Sequence, residues 1–290
     1  MLFRIVVLVA AGISTGAARD ASYQSSIEHW RQEREAKLKA DDGWLCVAGL
    51  FWLVDGVNSA GSAASSPIRL PRGPAHICDF NFHAGKTTFQ SDPKVAVTID
   101  GKPAKSAALR ADTDPGGPDE VTAGDFTLFV IHRGNRYAVR LRDRKSEFRR
   151  NFTGLHWFPV RDSYRVAARF VAYDQPRRIA VPNILGETEN EPSPGYVVFT
   201  LNGRQYRLDP VWDDKELFFI FRDATSGKQT YGSGRFLKAD PPKNGVVVLD
   251  FNKAYNPPCA FTSYATCPLP PKQNRLTVAI EAGELTYGHH

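Results

Sequence analysis

The chain has 290 residues, of which 42% are hydrophobic and 23% charged, and it carries a formal net charge of +6. Four cysteines are too few for a disulfide scaffold, so a hydrophobic core must supply most of the stability. No nucleic-acid motif accompanies the basic excess, and no later run approaches the roughly 18 apolar residues of a membrane helix. No nucleic-acid partner and no stable membrane insertion are therefore expected.

Residues 1–18 read as a secretory signal. Arg4 gives a positive start, Ile5 to Ala11 an apolar stretch too short to span a bilayer, and Gly16-Ala17-Ala18 a small-residue cleavage site. Loss of this segment leaves residues 19–290 and removes only one charge, Arg4. The expected location is periplasmic or secreted, and the expected body is a single β-rich domain.

Residues 20–41 are rich in helix formers. Ile27, Trp30, Arg31, Arg34 and Leu38 recur at three- and four-residue spacing, with Ser25 or Ser26 as the expected cap. This predicts one thin amphipathic helix across the outside of a β body, anchored by Trp30. From Gly43 the period changes. An apolar run to Val54 ends at the turn signal Asp55-Gly56, and Trp44 and Trp52 read as buried anchors. Short strands are expected near 67–70, 76–82, 86–90 and 95–99. Phe126 to Ile131 and Tyr137 to Leu141 form a hairpin around Gly134-Asn135. The basic run Arg140 to Arg150 reads as a solvated face.

A long strand follows at Tyr164 to Tyr173, and Glu187 to Pro194 resembles a linker dividing two sub-sheets. Further strands are expected at 196–201, 205–208, 217–221, 235–237 and 246–251, with a last one near Leu276 to Ile280. Short strands punctuated this regularly, behind one N-terminal helix, predict a mainly β fold: an antiparallel β sandwich or barrel.

Leu249 to Leu276 is the most unusual stretch. It holds Cys259, Cys267, five prolines and three asparagines in one irregular segment. Long structureless loops are uncommon in compact domains and often functional. Asn256-Pro257 and Cys267-Pro268 are bonds at which a cis form would be no surprise. The runs GWLCVAGLFWLVDGVNSAG, FRDATSGKQTYGSGRFL and this proline loop, followed by AIEAGE, resemble a family known as domain of unknown function 1684. The resemblance extends over about residues 26 to 287. It implies bacterial and archaeal proteins, exported and cytoplasmic, with no assigned activity. It marks Arg222, Asp223, Thr225, Ser226, Gly227, Tyr231, Arg235, Asp250, Asn252, Tyr255, Asn256, Cys259, Cys267, Asn274, Arg275 and Glu284 as site positions. Cys46 departs from the family pattern, which leaves it and Cys78 as local features.

Each cluster has a structural and a functional reading. Asparagines in a proline-rich loop satisfy stray backbone groups, or they rim a polar ligand. Cys259 and Cys267 permit a disulfide closing a short ring, stabilising by roughly 2.6 kcal/mol, or stand as a thiol pair. Their spacing matches no zinc motif, and no metal site or cofactor is expected. Arg235 suits a carboxylate or phosphate, or an internal salt bridge. Should the two clusters share one cavity, Arg235, Tyr231, Asp250 and Asn252 form its floor. The expected function is an exported protein binding a small polar or anionic ligand beneath loop 250–275. The ligand residues are Arg222, Tyr231, Arg235, Asp250, Asn252, Tyr255, Asn256, Asn274 and Arg275. The alternative is a hydrolase-like enzyme in the same cavity, with Asp250, Glu281 and Tyr231 as catalytic candidates.

Overall fold

The computed structural model describes residues 14–288. The first thirteen positions of the expected leader lie outside them. Helix α1 (Ser14–Lys39) runs unbroken through the expected cleavage point after Ala18. It begins well before Ser25 and Ser26, so neither caps it; the Ser26 hydroxyl instead donates to the Tyr23 carbonyl at 2.7 Å. One face meets the body. Ile27 and Leu38 are fully buried, each worth about 2 kcal/mol of apolar burial. Trp30 packs edge-on against Trp157 at 5.6 Å. Polar clasps occupy the rest of the face. Arg31 donates to the Phe158 carbonyl at 2.9 Å, Arg34 to the Asn256 carbonyl at 2.9 Å, and Glu35 accepts the Leu155 N–H at 2.8 Å. The thin apolar stripe is supplemented by these bonds at the intervening helical positions.

The first pair of sheets uses β1 (Val47–Trp52), β2 (Gly56–Gly61), β3 (Ile68–Arg69), β4 (Cys78–His83), β5 (Lys86–Ser91), β6 (Thr98–Ile99), β7 (Lys102–Pro103), β8 (Ser106–Leu109), β9 (Val121–Ala123), β10 (Phe126–Arg133) and β11 (Arg136–Asp143). One sheet has the order β1-β11-β10-β9-β6-β7, the other β3-β2-β4-β5-β8. Alternation drives the packing: every second residue of β5 is buried, and Phe89 meets Phe80 across the strand pair at 5.9 Å. The Gly134-Asn135 hairpin forms as expected, with Arg133 opposite Arg136. Trp44 and Trp52 are only partly buried. Their faces lie under guanidinium groups, Arg140 over Trp44 at 5.2 Å and Arg136 over Trp52 at 4.0 Å.

The second pair uses β12 (Arg165–Pro182), β13 (Thr188–Leu201), β14 (Arg204–Leu208), β15 (Val211–Asp213), β16 (Glu216–Phe221), β17 (Arg235–Ala239) and β18 (Val246–Asp250). The orders are β14-β13-β12-β18 and β15-β16-β17. Phe199, Phe219, Phe221, Leu237, Leu249 and Phe251 fill the space between them. The architecture is a mainly antiparallel, sandwich-like stack with no closed barrel; β2 and β3 pair in parallel.

Glu187 to Pro194 is not a linker but the rising arm of the β12–β13 hairpin, with Thr188 opposite Pro182 and Glu191 opposite Ile179. The chain passes between the two pairs of sheets through 144–164 instead. Leu276 to Ile280 forms no ladder. Leu276 N–H bonds the Arg222 carbonyl at 2.7 Å and Ala224 N–H the Val278 carbonyl at 3.0 Å. The Ile280 and Ala282 carbonyls turn inward to Arg235.

The proline loop follows β18 in three single 3-10 turns at Phe251–Lys253, Pro258–Ala260 and Lys272–Asn274. No peptide bond among the described residues is cis, so Asn256-Pro257 and Cys267-Pro268 are trans. The loop fastens the two pairs of sheets together. Thr262 donates to the Val47 carbonyl at 3.0 Å, and Arg133 Nε donates to Thr266 at 3.0 Å.

Candidate ligand groove

A groove of about 800 Å³ opens between α1, the outer strands β17 and β18, and the start of the proline loop. Strand parity decides what faces it. On β17, Arg235, Leu237 and Ala239 point into the core, while Phe236 and Lys238 point the other way. Phe236 there exchanges two backbone bonds with Tyr255 (2.8 and 2.9 Å), and their rings meet at 5.8 Å. On β18, Val247 and Leu249 are buried; Val246, Val248 and Asp250 line the groove.

The lining is charged. Arg34, Lys37, Arg165, Lys238, Lys243 and Lys253 supply the cations. Lys238 is held by Asp213 at 2.8 Å and Glu216 at 3.2 Å, which outweigh its burial and raise its pKa. Lys243 pairs with Asp240 at 3.6 Å, and Arg34 with Glu284 at 3.4 Å. Arg34 also lies over the Tyr255 ring at 4.7 Å. Lys37, Arg165 and Lys253 make no ion pair among the described residues. Asp250 is engaged locally. It accepts from the Tyr23 hydroxyl at 2.8 Å and from Asn252 N–H at 3.2 Å. Burial and the adjacent carboxylate push the Tyr23 phenol well above its ordinary range.

Of the expected ligand residues, Asp250 and Tyr255 line this groove; the pit floored by Arg235, Tyr231, Asp250 and Asn252 does not form. Arg235 is fully buried and paired with Asp223 at 2.7 Å. Asn252 is buried too; its side chain brackets Arg161, accepting its N–H at 3.0 Å and donating to its carbonyl at 2.9 Å. Asn256 donates to the Leu285 carbonyl at 2.7 Å. Tyr231 packs beside Leu38 and Phe261. Arg222 and Arg275 form an isolated backbone bridge with exposed side chains. Glu281 pairs with Arg161 at 3.7 Å, outside the groove. Cys259 and Cys267 are neighbouring free thiols.

Asn274 is a clip rather than a ligand group. It accepts the Asp209 N–H at 2.8 Å and donates to the carbonyls of Asp209 (2.8 Å) and Ile220 (3.0 Å). Asn274→Ala strands three buried backbone groups, and urea unfolding should register a loss of about 2–4 kcal/mol. A loss within error would show that these groups find other partners.

The groove cations were absent from the sequence-level site. The available signal was Arg34 inside an otherwise apolar helical stripe, a position where a charge needs a partner. A second cleft of about 610 Å³ lies between the two pairs of sheets, with Val181, Val211, Phe218 and Ile220 below and Arg133, Glu189 and Glu191 at its rim. Burial and then Glu189 raise the Glu191 carboxyl there. No group of three or more potential metal ligands occurs among the described residues, and no helix among them is long and apolar enough to cross a membrane.

A family model described as "Protein of unknown function (DUF1684)" matches residues 150–285, the second pair of sheets and the proline loop. No curated protein matches the chain. Among solved structures, the solution NMR structure of an uncharacterized protein from Haloarcula marismortui is 33% identical. That match covers 49% of this chain and 81% of that one, with a TM-score of 0.41.

Proposed function

The chain belongs to the family of unknown function DUF1684, whose description names no reaction, and from the groove itself we propose an exported protein that binds a small anionic ligand between α1 and the start of the proline loop. The observation that carries this reading is the set Lys37, Arg165 and Lys253, three cations facing one concavity without an acid partner among the described residues. A groove of about 800 Å³ is within the size range of small-molecule sites. Six cations against four carboxylates, Glu33, Glu216, Asp240 and Asp250, leave the concavity net positive, which raises the local concentration of anions. Tyr255 and the exposed Val246 and Val248 add apolar surface, which favours an organic anion over a bare inorganic one.

Calorimetric titration with sulfate and with citrate at low ionic strength tests the proposal. Lys253→Ala and Arg165→Ala should each weaken binding about three- to tenfold, and added salt should weaken it further. Equal affinity in both variants would remove the groove as the site. No observation carries the hydrolase alternative, because Asp250 lines the groove while Glu281 faces Arg161 outside it.

A further inference from the structure

A second chemical cluster lies where the proline loop meets the first pair of sheets. The Cys259 backbone N–H donates to Cys267 Sγ at 3.2 Å, and the two thiols are hydrogen-bond neighbours. Cys259 is half-buried and Cys267 buried. Pro257 and Pro258 precede the first cysteine and Pro268 follows the second, so the short excursion between them is stiff at both ends.

Arg140 supplies the second observation. It is 4% exposed and makes no ion pair among the described residues. Its Nη2 reaches Thr266 Oγ1 at 3.4 Å, next to Cys267 in the chain, and its Nε has no hydrogen-bond partner. The neighbouring arginines are already neutralised, Arg133 by Asp112 at 2.7 Å and Arg142 by Glu120 at 2.6 Å. A buried cation without a counter-ion is costly. The charge of Arg140 acts on both sulfurs.

We propose that Cys259 and Cys267 form a redox-active dithiol that exchanges with low-molecular-weight disulfides. Cys259 is the attacking thiolate, Arg140 its positioning counter-ion and Cys267 the resolving thiol. Hydrogen bonding from Cys267 holds the Cys259 thiol below its ordinary range, against its burial and with help from Arg140. Cys259 and burial push Cys267 far up. One sulfur is thus the easier to ionise and half-exposed, the other harder to ionise and covered, the division of labour that exchange requires.

The step balances with oxidised glutathione as the co-reactant. Cys259 thiolate attacks one glutathione sulfur, forming a mixed disulfide and expelling one glutathione thiolate. Cys267 gives up its proton and attacks Cys259 Sγ, closing the protein disulfide and expelling the second. The two protein thiols lose two electrons and two protons; both leaving thiolates are protonated to reduced glutathione.

The test equilibrates the full chain in glutathione buffers of increasing oxidised fraction, then alkylates it and locates the bonds by mass spectrometry. A single two-thiol transition joining Cys259 to Cys267 is expected. Cys46 and Cys78, both fully buried with thiols raised by burial, should stay reduced and serve as internal controls. Cys267→Ser should accumulate a glutathione adduct on Cys259, and Cys259→Ser should carry none. Arg140→Met should slow alkylation of Cys259 at neutral pH by about tenfold, with Arg140→Lys restoring most of the rate. If Arg140→Met fails to fold, the pH profile of Cys259 alkylation in the unmodified chain decides, and a midpoint below that of a free cysteine peptide is expected. A reaction rate equal to that peptide's, an adduct on Cys267 instead, or no disulfide at any ratio overturns the assignment.

Discussion

Arg235→Met is expected to destabilise the protein by about 3–5 kcal/mol, and its melting temperature should fall by roughly 6–20 °C. Arg235 and Asp223 are both 0% exposed at their side chains and meet at 2.7 Å. The guanidinium also donates to the carbonyls of Ile280, at 2.9 Å, and Ala282. Asp223 accepts further bonds from the N–H (2.7 Å) and hydroxyl (2.6 Å) of Thr225. Methionine fills much of the vacated volume but leaves a buried carboxylate without its cation and two carbonyls without donors. Loss of one partner of a buried pair costs far more than the pair is worth as a whole. Arg235→Met with Asp223→Asn should therefore recover part of the loss, because the stranded charge is gone. Arg235→Lys keeps the charge without the fork and should fall between them. Thermal and urea unfolding of the four proteins measure this directly. A single-variant loss below about 1 kcal/mol would mean that the segment 276–284 holds its place without the guanidinium. Sulfate affinity in folded Arg235→Lys should match the parent, since Arg235 faces away from the groove.

This residue also marks the limit of what the sequence made legible. The hairpins were readable because alternation and Gly-Asn or Asn-Gly turns leave a local signature: Gly134-Asn135 and Asn202-Gly203 both connect paired strands. In RFLKAD the same alternation places Arg235 and Lys238 on opposite faces, but it does not say which face is wet. The usual rule sends an arginine outward; here Asp223, twelve residues earlier, supplies the partner that reverses it. The segment 187–194 has a linker's composition, acidic and holding Pro192 and Pro194. It is a strand there because it has only one ladder neighbour: β14 joins β13 from Val197 onward. A proline on the unpaired side removes no bond, and Pro194 falls within the register shift opposite 172–177. The proline loop was legible as special, yet its asparagines proved to be backbone clips. The groove joins α1 to β17 and β18, strands more than 190 residues further along the chain, and no local pattern announces such a meeting.

Glu284 should make stability fall as pH rises from about 4.5 to about 7. Its side chain is fully buried, with Arg34 at 3.4 Å on one oxygen and no hydrogen bond on the other. Burial pushes the carboxyl up from 4.5 to about 7, with Arg34 and Asn256 opposing. Between those values the folded chain keeps a proton that the unfolded chain releases. Raising the pH therefore favours unfolding across that window, by about 3 kcal/mol in total, and the penalty is constant above it. Glu284→Gln has no proton to lose, so it should flatten this slope and exceed the parent in stability at pH 8. The same proton reaches the groove through Arg34, which lines it and has Glu284 as its acid partner. When Glu284 is neutral, Arg34 offers its full charge to a bound anion. Sulfate, whose charge is constant over this range, should bind a few-fold more tightly at pH 6 than at pH 8. Glu284→Gln should lose that dependence, which separates this carboxyl from any histidine titrating nearby. Unfolding curves that keep the parent's slope in Glu284→Gln would refute the buried proton; a sulfate affinity that ignores pH while the stability does not would place Arg34 outside the binding event.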